Sequence, residues 1–183
     1  PEKSPKHSFR LLFKKEYGES KLQFPLFGEG ATSKFDNLIL RAGYGNTWVH
    51  RDANERQRAH NARDAWSKDT QREMGHYSSH GIFVHLFING IYWGIYNPSE
   101  RLDADFASSY MEGSSDEFDV IKDYNEIIDG NIDAWNTLHA TVNKGVKSVE
   151  SYMKLQGKNP DGSRNPDFEP LVDVVNLTDY MLI

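Results

Sequence analysis

The chain has 183 residues, 38% hydrophobic and 26% charged, enough for one core and about one domain. A net charge of -6 argues against capture of a nucleic-acid backbone, which takes a basic stripe to release counterions. The absence of cysteine removes disulfides, thiolate catalysis and cysteine-ligated zinc together, and no apolar run approaches the roughly 18 residues of a membrane-spanning helix.

In chain order, SFRLLF (8–13) alternates as a strand does, with Phe9, Leu11 and Phe13 on one side and Ser8, Arg10 and Leu12 on the other. YGES reads as a turn, FDNLILRAG as a second strand and GYGN as the loop that closes it. From Asn54 to Met74 a half-exposed helix is expected, with Ala59, Ala62, Trp66, Thr70 and Met74 on one face and Gly75 as its stop.

GHYSSHG is a loop, after which IFVHLFI and IYWGIY flank Asn89-Gly90. Asn-Gly between alternating apolar runs is a strong hairpin signal, because a type I′ turn takes positive φ at both central residues. A two-residue turn would pair Ile88 with Ile91, Leu86 with Trp93 and Val84 with Ile95, an apolar face with Ile91, Trp93 and Ile95 in the core. The other face would set Phe83, His85 and Phe87 against Tyr96, Gly94 and Tyr92. Apolar on both sides, the hairpin is expected in the middle of a sheet, covered on one face by the helix.

Pro98 should end the second strand, since it has no N–H to give the ladder. The stretch to Asp105 then crowds Glu100, Arg101, Asp103 and Asp105 at the mouth of the aromatic face: a solvated charged loop, or a ligand-contacting edge. Beyond it come a short strand in DEFDVIKDY, helices in NIDAWNTLHATVNKG and VKSVESYMKLQG, a turn-rich loop in KNPDGSRNPDFEP, and a last helix capped by Asp173. The fold class is α+β, a mixed sheet followed by helices. The start at Pro1 and the stop within LTDYMLI read as a piece of a longer chain.

Four motifs fail on their own terms. HRDANERQ begins like a kinase catalytic loop but has Gln57 where the metal-binding Asn belongs, so it reads as a loop and helix start. GEGATSK lacks the Lys-Ser/Thr ending of a phosphate loop and reads as a turn. HYSSH lacks the Glu of a zinc motif, and DGNID has Ala134 and Ala140 where a calcium loop needs Gly and Glu.

SPKHSFRLLFKKEYG, FDNLILRAGYGNTW, ARDAWSKDTQREMG, HGIFVHLFINGIYWGIYNPSERLD and FDVIKD, in this order, resemble the spore coat protein H (CotH) kinase family over roughly residues 5–130. The resemblance implies an atypical kinase-like fold: residues 1–128 as a sheet-plus-helix lobe, and 129–183 as the truncated helical start of a second. It implies ATP and Mg in the complete protein, phosphoryl transfer to Ser of a protein substrate, and a hinge at NPSERLD. The acids that position the acceptor and hold metal would follow the helix begun by LTDYMLI, so this piece alone is expected to be inactive.

On that basis Lys6, Arg10 and Lys122 are candidates for phosphate, with Asp64 orienting one of them by an ion pair or simply pairing with Lys68. Glu100 and Arg101 are the candidate hinge pair, and Tyr92, Gly94 and Tyr96 the nucleotide-side face. No catalytic or metal-binding residue is assigned. A second reading is a surface binding or adhesion module that uses exposed Tyr and Trp, since some relatives act as surface proteins.

Overall fold

In the computed structural model, which describes residues 5–183, the alternating segment near the N-terminus forms β1 (Phe9–Leu12). A small hairpin follows, β2 (Leu22–Gln23) with β3 (Lys34–Phe35), and GEGATSK is part of its connection, a turn as expected. FDNLILRAG supplies β4 (Asn37–Arg41).

The expected single helix is two. Asp52 caps α1 (Ala53–Gln57), accepting from the backbone N–H groups of Asn54 at 2.8 Å and Glu55 at 3.1 Å, so HRDANERQ is a helix start. Arg58 (φ -98, ψ 6) then leaves helical geometry, and α2 begins afresh as Arg63–Glu73. His60, Asn61 and Ala62 are exposed, so no packed face carries the helix across the break. Gly75 (φ 88) ends α2 as expected. The buried face differs too: Trp66 is 59% exposed, whereas Asp64, Ala65, Lys68, Gln71 and Arg72 are half-buried. The helix turns a charged face to the protein.

Asn89 (φ 52) and Gly90 (φ 78) make the predicted hairpin turn between β5 (Val84–Ile88) and β6 (Ile91–Ser99). The pairing starts as expected, Ile88 opposite Ile91 and Phe87 opposite Tyr92, but Leu86 then faces Gly94, leaving Trp93 as an extra residue on β6. Gly94, at φ 99, supplies the backbone conformation for this bulge. One inserted residue exchanges the faces beyond it. Tyr96 moves opposite Val84 and becomes 1% exposed, while Ile91, Trp93 and Ile95, expected in the core, are 68%, 44% and 47% exposed.

The sheet is antiparallel in the order β1-β4-β6-β5, so β6 is central and β5 an edge, not the covered middle of a sheet. Leu40, Ala42 and Tyr96 form its core, with Phe9, Val84 and Leu86 packed against them. Pro98 does not end β6 but pairs opposite Leu40. Its carbonyl accepts from Ile82 N–H at 3.0 Å, and the Ile82 carbonyl, which a donor at 98 would have met, accepts from Asn97 Nδ2 at 2.9 Å. The charged stretch is no solvated loop: Glu100 and Asp103 are 6% and 8% exposed, and Asp103 caps α3 (Ala104–Tyr110), accepting from Phe106 N–H at 3.2 Å.

The chain divides into two compact units, the first ending at Ser115 and the second comprising Asp116–Ile183. In the second, β7 (Val120–Lys122) pairs with β8 (Glu126–Asp129), a strand absent from the sequence reading, and α4 (Asp133–Asn143) follows. A Ser148/Ser151 capping box starts α5 (Val149–Leu155), and Asp173 caps α6 (Val174–Leu182) as expected, accepting from Asn176 N–H at 3.0 Å. The loop between these helices is tied down by the Arg164 guanidinium, which donates to the carbonyls of Gly157 at 2.6 Å and Phe168 at 2.7 Å.

Candidate functional site

Where β4 leaves the sheet, Gly43 at φ 75 turns the chain into a single 3-10 turn, Tyr44–Asn46. A Cβ at position 43 would lie 2.9 Å from the Thr47 methyl, so both backbone angle and space require glycine. This loop, β6 and the start of α2 wall a cleft of about 480 Å³, within the range of small-molecule sites. Tyr44, Trp48, Phe83, Tyr92 and Tyr96 supply aromatic surface, and Lys6, Arg41 and Asp64 supply charge.

Asp64 Oδ2 is shared by two cations, Arg41 at 2.8 Å from β4 and Lys68 at 2.9 Å one helical turn along α2. Two positive charges on one carboxylate leave an excess of one. Burial lowers the Lys68 pKa, opposed by the bond to Asp64 and reinforced by the charge of Arg41. Lys6 Nζ donates to the Ile95 carbonyl and sits 4.4 Å from the centre of the Tyr96 ring; burial lowers its pKa as well. The cleft is therefore locally cationic in a chain of net charge -6. On its wall, Thr47 Oγ1 is buried with no hydrogen-bond partner among the described residues, an arrangement that costs about 1–3 kcal/mol.

Of the residues singled out from sequence, Lys6 and Asp64 come together here, with Tyr92 and Tyr96. Arg10 lies exposed on β1 opposite Ile39 and does not line the cleft. Lys122 belongs to the second unit, exposed and paired with Asp123 at 3.1 Å and Glu126 at 3.2 Å.

Glu100 and Arg101 were expected as a pair, yet each has other partners. Glu100 accepts from the backbone N–H and Nδ1 of His80, both at 2.8 Å, and from the Tyr110 hydroxyl at 2.6 Å, while Arg101 Nε reaches Asp103 at 3.6 Å. The Tyr110 hydroxyl accepts in turn from Thr32 N–H at 2.9 Å. Burial, then the bond to Glu100, raises the Tyr110 pKa. Two buried acidic side chains thus follow β6, each satisfied within the first unit.

Sequence reading missed Arg41, Thr47, His80 and Tyr110. The one available signal is a basic residue, Arg41, closing an apolar strand one residue ahead of the Gly43-Tyr44-Gly45 loop. Among the described residues, no group of three or more His, Asp or Glu is arranged to hold a metal ion.

A family model described as CotH kinase protein matches residues 2–179, nearly the whole chain. No curated protein and no solved structure matches it.

Proposed function

Because the chain belongs to the CotH kinase protein family, we propose that the cleft beside Arg41 takes the phosphates of ATP in a metal-dependent phosphoryl transfer to protein Ser. The Arg41 and Asp64 pair carries this reading. A strand cation held by a helix carboxylate is how protein kinases present a positive charge to the nucleotide phosphates. Asp64 orients Arg41, Lys68 adds to the positive field, and Lys6 lies within the same cleft. The aromatic wall suits a nucleobase. ATP supplies the transferable group when bound; the role of the residues named is to bind and orient it, and none is assigned a catalytic or metal-binding role.

Arg10 and Lys122 enter this proposal only as outlying cations, and Glu100 and Arg101 as the residues where β6 passes into α3, the expected hinge. The lobe boundary at 128/129 belongs to the same proposal, although the compact units meet at 115/116.

Mg-ATP at about one hundred times its Kd should stabilise the protein by about 2.7 kcal/mol, a rise of several degrees in melting temperature. The absence of any shift at millimolar nucleotide contradicts the reading.

A second reading, a binding module without catalysis, is favoured by the hairpin, where Phe87, Ile91 and Tyr92 are 61%, 68% and 51% exposed. On that reading Phe87→Ser abolishes partner capture and nucleotide has no effect on stability.

A further inference from the structure

Thr47 stands on the cleft wall between Asn46 and the 72% exposed Trp48, yet is itself only 7% exposed. The backbone of this loop is already engaged: Asn46 N–H donates to the Gly43 carbonyl at 2.8 Å, and His50 N–H donates to the Thr47 carbonyl at 3.2 Å. The loop therefore holds its shape without the side-chain hydroxyl. Packing positions that side chain, its methyl filling the space over Gly43, where an added Cβ would lie 2.9 Å away. What is left is a hydroxyl with no partner among the described residues and no access to water. A buried polar atom in this condition requires an explanation, and on a cleft wall a partner brought by a ligand supplies one.

We infer that Thr47 is a ligand-responsive binding residue. When a phosphate oxygen enters beside Arg41, the Gly43–Trp48 loop adjusts to bring the Thr47 hydroxyl to it, and the hydroxyl proton turns toward the ligand and donates to it. The inference rests on the nucleotide reading above and adds to it the element that responds. An anionic oxygen is the partner because Arg41 leads directly into this loop and Lys6 lines the same cleft. A bond to a charged acceptor is also about twice as strong as one to a neutral group.

The test uses the full 183-residue chain, with Thr47→Val, which keeps the shape and removes the hydroxyl, Thr47→Ser, which keeps the hydroxyl, and Arg41→Met as a reference. Calorimetric titration with ADP and with inorganic pyrophosphate gives affinities, and thermal unfolding gives stability. Thr47→Val should melt no lower than wild type without ligand and bind ADP about tenfold more weakly, while Thr47→Ser binds nearly as wild type. Weakened pyrophosphate binding in the same variant locates the bond on a phosphate; weakening for ADP alone overturns the phosphate assignment. A Thr47→Val protein that melts clearly lower has lost a structural hydroxyl, and one that binds ADP normally needs no hydroxyl; either result overturns the inference. If Arg41→Met loses binding while Thr47→Val retains it, the nucleotide reading stands and this inference fails. Wild-type protein that binds neither probe overturns both.

Discussion

Asp64 is the residue on which the cleft turns, because it holds Arg41 and Lys68 with one oxygen. Exchange for Asn keeps the shape and releases both cations. Pairs as open as Arg41 and Asp64 contribute about 0–1 kcal/mol. Lys68, at 18% side-chain exposure, loses its partner as well, so Asp64→Asn should cost about 1 kcal/mol in urea while weakening ADP binding about tenfold, since a freed guanidinium samples other positions. Tyr110 shows the opposite balance. It donates to buried Glu100 and accepts from Thr32, so Tyr110→Phe should cost about 2 kcal/mol of stability in urea at neutral pH. The sign of its pH effect follows from a pKa raised above the ordinary 10.0. Above that pH the unfolded chain releases the phenolic proton while the folded chain keeps it. The contribution is complete below pH 10 and lost as pH rises, so Tyr110→Phe should flatten the alkaline decline in stability. Asp64 with Lys68 was legible in sequence, being one helical turn apart. Arg41 was not, because its partner comes from a different element and only folding brings them together.

At the level of elements, the structure is legible in the sequence where local chemistry decides and is hidden where one residue changes the phase. β1, β4, the Asn89-Gly90 turn, α4, α5 and the Asp173 cap follow from periodicity, left-handed turn residues and capping side chains. The faces of β6 do not. A bulge at Trp93 is invisible to an alternation count, and it sends Tyr96 inward and Ile95 outward. Gly94 carried the hint, read from sequence only as space opposite His85. Gly94→Ala should cost about 1–2 kcal/mol by equilibrium denaturation, for the strain of φ 99 and not for crowding, since the nearest atoms to a new Cβ are 3.8 Å away on Lys6. The break before α2 escaped notice because the apolar stripe of 54–74 fits helical spacing; the structure instead buries the charged side. α3 was hidden by the reading of its cap, Asp103, as loop charge.

For the whole molecule, the fold puts a cationic cleft on a chain of net charge -6, so the polyphosphate binding proposed above would depend on local placement and not on overall charge. Affinity for ADP should then fall as salt rises and screening shortens, more steeply in wild type than in Arg41→Met. The family assignment and the α+β class were both legible, one from the order of its motifs and the other from strands preceding helices. The most direct test is calorimetric titration of Mg-ADP into wild type and Arg41→Met. Wild type should show saturable binding at one site, weakened at least about tenfold in a variant that melts within a degree or two of it. Equal affinity in the two proteins, or no heat of binding in either, contradicts this.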